Sequence, residues 1–303
     1  MNVFVAGGTG TIGVPLVRAL VAAGHKVHSL TRSEKKILEI RSLGAEPAVA
    51  DALDADALRR VVVAARPTHV IHQLTALPKQ GPRRASDLAP TNRLRSEGTR
   101  NLIDASIAAG ARRIIGGSFA LFQAPMPAKA PPEVVKGAEA LRSMESQILD
   151  ASRRGDIEGV VLRYGMFYGP GNPATDYMIY LLRRRMLPMI RDDKGLLPFI
   201  HLDDAVSATI AALDRAPAGS AYDIVDDHPA SMSEVVAGLA RQAGAPKPFN
   251  VPLWLPRLVS PYMTGLISIR LPLSNAKAKA ELGWTPKYPT WREGVAGLLE
   301  RAA

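Results

Sequence analysis

There is no cysteine among the 303 residues of the chain. Disulfides, thiolate-held metals and cysteine nucleophiles are excluded together, and the usage fits a reducing cytoplasm. Aromatic side chains are scarce at 5%, and the first of the 7 tyrosines is Tyr164. No tyrosine is followed four residues later by a lysine. Nor is there an unbroken apolar run long enough for a bilayer. The greasiest stretch, 251–271, holds Pro252, Pro256, Pro261, Arg257 and Arg270, and reads as a lid or packing surface. Val3 opens a strand with no basic stretch before it, so neither a signal peptide nor a membrane partner is expected.

Charge of one sign is in short supply as well: 28 Asp and Glu stand against 38 Lys and Arg, a net charge of +10. The basic clusters Arg83-Arg84, Arg93/Arg95/Arg100 and Arg183-Arg184-Arg185 lie between apolar helical positions with no aromatics among them. They read as a solvated surface and not as a nucleic-acid site.

What is present begins at once. Residues 3–6 form a short apolar run, as a strand buried on both faces should. A turn follows, Gly7-Gly8-Thr9-Gly10-Thr11-Ile12-Gly13, and then Ile12, Leu16, Val17, Leu20 and Val21 recur at helical spacing up to Gly24. Strand, glycine turn and helix make an anion-binding device, because N–H groups of the first helical turn and the helix dipole face the ligand. Gly7 suits the tight turn, Gly10 the approach of a diphosphate, and Gly13 close packing of helix on strand. Thr9, Thr11 and Ile12 complete the loop that would touch a dinucleotide.

The second strand, 26–30, ends at Thr31-Arg32-Ser33. An NAD site places an acidic residue here, about 20 residues past the glycines, for the ribose hydroxyls. This chain offers a guanidinium and two hydroxyls, with Lys35 and Lys36 nearby. Those groups suit a 2′-phosphate, so the expected cofactor is NADP(H).

Further α/β alternation follows: helix 34–43, strand 47–50, helix 53–65, strand 69–74, helix 91–109, strand 113–117, strand 160–162. Ligands of such sheets sit outside the carboxyl ends of the strands. Asp51, Ala52, Leu74 and Thr75 are therefore candidate groove residues, and Ser118 is delivered at the end of the fifth strand. His69 and His72 read as packed within the sheet, and 79–89 as a loop over the groove. His201-x-Asp203-Asp204 reads as an N-cap at Asp203 with Asp204 in the first turn, and no metal is expected.

Gly7-Gly8-Thr9-Gly10-Thr11-Ile12-Gly13, Gly98-Thr99-Arg100-Asn101-Leu102, Ser118, the run from Arg163 to Gly171 and Phe199-Ile200-His201-Leu202-Asp203-Asp204 together resemble the extended short-chain dehydrogenase/reductases of the NAD-dependent epimerase/dehydratase group. The likeness runs to about residue 225 and continues more faintly to Leu282-Gly283-Trp284. It implies an α/β, Rossmann-type doubly wound sheet of seven parallel strands, with a cofactor across its C-terminal edge. A dinucleotide-binding domain would span 1–169 with 199–225 returning to it, and a smaller C-terminal α/β substrate domain 170–198 and 226–303. A homodimer through helices 91–109 and 138–153 would follow by the same analogy.

The chain departs from that pattern where the family does its chemistry. The family's Tyr-x-x-x-Lys pair would fall on Gly137 and Leu141, counting back from Glu145. Ser118 matches the family's hydroxyl, while Tyr164, Phe167 and Tyr168 follow strand six near the family's nicotinamide pocket. Catalytic candidates are thus Ser118, Tyr164 and Tyr168, with Ser118, Tyr164 and Phe167 also against the cofactor. Gly165-Met166-Phe167 replaces the asparagine of nucleotide-sugar enzymes, and the later apolar segments suit a small hydrophobic substrate. Three functions fit: an NADPH-dependent reductase of a hydrophobic carbonyl or related electrophile with an atypical proton donor, a non-redox isomerase or lyase, and a non-catalytic NADP sensor.

Overall fold

The computed structural model describes residues 1–78, 84–125, 132–259 and 261–296. The first part of the expected loop over the groove (79–83) falls outside the described residues. Seven strands pair in parallel: β1 (Asn2–Ala6), β2 (Lys26–Thr31), β3 (Glu46–Val49), β4 (His69–His72), β5 (Arg113–Phe119), β6 (Glu158–Tyr164) and β7 (Ser220–Ile224). Their order across the sheet is β7-β6-β5-β4-β1-β2-β3. The chain runs outward from β1 to β3, then returns to place β4 on the other side of β1. That reversal opens a crevice at the carboxyl ends of β1 and β4.

The strands are apolar on both faces because helices cover both. One face packs Val3, Val5, Ile71, Leu162 and Tyr164 against helices Gly13–Ala22, Leu202–Arg215 and Ala276–Leu282. The other packs Phe4, Val70, Ile114 and Val161 against Ala55–Ala65, Thr99–Ala108 and Pro132–Arg153. The fifth and sixth strands run past their expected ends, since Ser118 and Phe119 still pair with Arg163 and Tyr164. The helix expected over 91–109 is broken into Ala89–Arg93, a π-helical turn Leu94–Gly98 and Thr99–Ala108. A third cluster lies off the sheet, where Tyr168, Leu182, Leu197, Phe199, Leu239 and Trp291 meet. Helices Pro173–Arg183, Met232–Gln242 and Trp291–Ala296 supply most of it.

One expected cap is corrected. Helix Leu202–Arg215 is capped by His201, whose Nδ1 accepts from Asp203 N at 3.1 Å. Asp204 stands in the first turn as expected, is buried, and accepts from Lys287 N and Tyr288 N at 2.6 and 2.9 Å. Two N–H groups from a distant loop satisfy this buried carboxylate.

Candidate functional site

A groove of about 270 Å³ lies in the crevice, bordered by the residues that follow β1, β2, β3 and β4. Gly7, Thr9, Gly10, Thr31, Arg32, Ser33, Asp51, Ala52, Leu74 and Thr75 all line it, joined by Lys36, Gln73 and Ala76. The glycine turn closes on itself through Gly10 N donating to Gly7 O at 3.0 Å. Gly7 has φ +99° and its missing Cβ would stand 2.4 Å from Gln73 O. A side chain there would be strained and would displace β4's exit. A Cβ at Gly10, by contrast, would have one neighbour within 4 Å, Gly7 O at 3.2 Å. No side chain caps helix Gly13–Ala22 at its first turn. An open glycine beside an uncapped helix N-terminus fits a diphosphate.

Thr11 is exposed, Ile12 is a core residue and Gly13 packs onto the turn, and none of the three is in the groove wall. Their part is to place the helix N-terminus. Of the two hydroxyls at the end of β2, that of Thr31 lines the groove and also shapes the loop. It is buried and accepts from Ser33 N at 3.1 Å, which folds the loop back. Arg32 remains exposed at the groove edge. Lys36 also lines the groove and pairs with Glu39 at 3.3 Å.

Supporting contacts that sequence reasoning missed hold the groove's wall. Leu74 N donates to His72 Nδ1 at 3.2 Å, so His72 carries its proton on Nε2 and gives it to Thr99 Oγ1 at 2.8 Å. Burial, with the Arg95 charge nearby, lowers the His72 pKa to about 4, so the ring stays neutral. Ala76 N donates to Thr91 Oγ1 at 2.8 Å, and Asn101 Nδ2 donates to Ala52 O at 2.9 Å. The Gly98-Thr99-Arg100-Asn101 motif was the available signal, for Asn101 reaches Ala52 in the groove wall and Thr99 holds His72, which in turn holds Leu74.

Farther along the sheet edge, Ser118 Oγ donates to Glu145 Oε1 at 2.5 Å. Glu145 also takes Arg163, whose Nη2 lies 2.7 Å from Oε2. This hydrogen-bonded pairing raises the guanidinium's pKa against a smaller effect of burial. Arg163 Nη1 in turn donates to Gln123, and Gln123 to Asp223. The single hydroxyl proton of Ser118 is thus committed to a carboxylate, and its oxygen is left as an acceptor.

The expectation that Tyr164 or Tyr168 presents a phenol to a substrate is corrected. Tyr164 is 2% exposed, with its hydroxyl on Thr209 Oγ1 at 2.7 Å and Gln73 Nε2 at 3.0 Å. Burial pushes its pKa up to about 12, against the lowering effect of those two bonds. Tyr168 donates to Asp226 Oδ2 at 3.0 Å inside the third cluster. Burial first, and the Asp226 charge second, raise its pKa too. Phe167 packs on the Tyr164 ring at 5.3 Å. None of Ser118, Tyr164, Phe167 and Tyr168 is in the groove wall.

Asp226 is a buried acid with an unpartnered Oδ1. Burial raises its pKa to about 8, opposed by the Tyr168 bond and assisted by Asp204. The folded state therefore holds a proton that the unfolded chain releases above its ordinary value of 3.8. The stability from that protonated carboxyl is complete below the unfolded value and declines until pH passes the folded one, by up to about 1.4 kcal/mol per pH unit. Asp226→Asn should flatten the fall in melting temperature between pH 5 and pH 8, measured by calorimetry. Parallel curves for the two proteins would show that Asp226 does not titrate there.

On helix Pro132–Arg153, Gly137 faces Leu88 and Phe122, and a Cβ there would lie 3.4 Å from Leu88 Cδ1 and 3.7 Å from Asn92 Oδ1. Asn92 Oδ1 is buried without a partner, and Leu141, one turn on, is a core residue. The helix face toward Ser118 thus carries no phenol or ammonium at these positions.

A family model for the NAD dependent epimerase/dehydratase family matches residues 3–225. A Streptomyces 3-diazoavenalumate denitrifying reductase is 39% identical over 97% of this chain and 99% of its own. A ceramide reductase from Caulobacter vibrioides is 28% identical over 98% of this chain and 91% of its own. Among solved structures, a Thermus thermophilus UDP-glucose 4-epimerase in complex with NAD superposes with a TM-score of 0.77 at 22% identity, covering 99% of this chain and 98% of the other.

Proposed function

The chain belongs to the NAD dependent epimerase/dehydratase family, as an oxidoreductase-type enzyme that takes a nicotinamide dinucleotide, and from that premise we propose that it is an NADPH-dependent reductase of an apolar electrophile that accepts hydride without a proton from the protein. One contrast carries the reading. The groove keeps its glycine turn, with Arg32 and Lys36 beside it, while Gly137 and Leu141 stand where an acid–base pair would be and the nearby phenols are buried.

Bound in the groove, NADPH supplies a hydride. The first-turn N–H groups of helix Gly13–Ala22 would hold the diphosphate, and Arg32 with Lys36 the 2′-phosphate. Ser118, its hydroxyl hydrogen bonded to Glu145, can accept a hydrogen bond but has no donor left to polarise a carbonyl. Leu88 and Phe122 pack around Gly137 where the pair would stand, so this helix face offers no acid to a substrate at the sheet edge. In this reading 170–198 and 226–303 form the substrate side of the protein.

A ketone reduced in such a site would need a proton, and a missing general acid costs about 10²–10⁴-fold. An aryl diazonium needs none: the C–N bond breaks, its electron pair leaves with dinitrogen, and the hydride pair makes the new C–H bond. The Streptomyces relative, whose name states a reductive loss of nitrogen from a diazo compound, supports this class. The test supplies an aryl diazonium acid and NADPH deuterated on the transferable position. Dinitrogen release and one deuterium on the carbon that bore nitrogen are expected, unchanged in Tyr164→Phe. A shape-matched ketone reduced equally fast, or a loss of about 100-fold in Tyr164→Phe, would overturn the reading, since an acid would then be at work.

A further inference from the structure

One tryptophan differs from the other two. Trp254 is 61% exposed, whereas Trp284 and Trp291 are 4% and 5%. It opens the short helix Trp254–Val259, with Leu258 on the same face one turn later and Leu253 and Leu255 exposed alongside. The patch continues across a strand pairing: Met189 N donates to Phe249 O at 2.9 Å, and Arg191 N to Val251 O at 2.8 Å. That pairing sets exposed Phe249 beside the loop that carries exposed Met186. So many large apolar side chains in one exposed region mark an interaction surface.

The charge around it is mainly positive, with Asp192 and Asp193 after Arg191 at its border. The sequence contains no Asp or Glu between Glu234 and Glu281, nor between Asp176 and Asp192. Within those intervals Arg183, Arg184, Arg185, Lys247 and Arg257 are exposed. Arg184 lies 4.3 Å from the Tyr180 ring centroid, and no carboxylate meets any of the five among the described residues. A second copy docking by the same face would bring these cations together, which disfavours self-pairing. Leucines and an indole flanked by unpaired cations suit anionic lipid, where the apolar tips enter the headgroup boundary and the cations stay at the phosphates.

We propose that this face docks on the surface of an anionic bilayer. The protein lies on the membrane without crossing it; among the described residues no helix is long and apolar enough to span one. The docking is independent of the reductase reading.

The test uses the full chain with phosphatidylcholine vesicles, with and without phosphatidylglycerol. Trp254 is the exposed indole, so its emission should shift to the blue on anionic vesicles. Co-sedimentation should be at least about tenfold greater there than on phosphatidylcholine alone and should weaken with salt. Trp254→Ser/Leu258→Ser should abolish co-sedimentation, and Arg184→Glu/Arg185→Glu should reduce it, with NADPH binding unchanged in both to show that the fold is kept. Absence of wild-type binding at low salt, or equal binding by Trp254→Ser/Leu258→Ser, would overturn the proposal. So would a vesicle-free dimer that Trp254→Ser/Leu258→Ser splits.

Discussion

Arg32→Glu should swing coenzyme preference from NADPH toward NADH by about 10²–10³-fold. A hydrogen bond to a charged group contributes about 1.5–3 kcal/mol, and a carboxylate in its place adds repulsion of the 2′-phosphate. Each 1.4 kcal/mol is about tenfold in affinity. The NADH side of the ratio should move little or improve, because a carboxylate after β2 can accept from ribose hydroxyls. Arg32 is exposed at the groove edge, so salt should erode the NADPH advantage of the parent protein. Calorimetric titration of both proteins with NADPH and NADH, at low and high salt, reads all of this. A ratio that moves less than about threefold would mean that the guanidinium does not meet the phosphate, because removing a charge-assisted hydrogen bond costs more than that.

Gly13→Ala should abolish measurable dinucleotide binding and lower the melting temperature. The added Cβ would fall 2.1 Å from Gly7 O and 2.7 Å from Gly8 C. Both neighbours are backbone of the turn itself, so no flexible side chain can yield. Either the helix lifts from the turn, which moves the N–H groups from the anion, or the turn opens. An overpacked core position costs about 1–3 kcal/mol, and the loss of affinity should exceed the loss of stability. Gly24→Ala is the matched control. Gly24 has φ +79° but nothing within 4 Å of its missing Cβ, so only a left-handed alanine at about 1–2 kcal/mol is expected, with cofactor binding intact. If Gly13→Ala binds NADPH as well as Gly24→Ala does, the turn does not work as a diphosphate clasp.

The groove at the carboxyl ends of β1 to β4 was legible because its signals are local. Gly7, Thr9 and Gly10 line it, and Arg32, Asp51 and Leu74 follow strands whose apolar runs locate their ends. The phenols were misread for the opposite reason. Tyr164 and Tyr168 do follow the sixth strand, but strand alternation sends Tyr164 into the sheet face packed by Thr209, and Tyr168 into the cluster closed by Asp226. Thr209 and Asp226 are dozens of residues away, and nothing in the local pattern announces them. His201 took the cap expected of Asp203 because the helix starts at Leu202, one residue before the acidic pair.

Order along the chain was enough for the fold class, the glycine clasp, the cation after β2 and the missing acid–base pair, since each depends on residue type at short spacing. Which side chains keep a free hydroxyl and which are satisfied internally was decided only by packing between distant segments. Burial and partner choice are non-local: Ser118 reads as a donor in the chain, but Glu145, brought by helix Pro132–Arg153, accepts its one hydrogen bond and leaves an acceptor at the sheet edge.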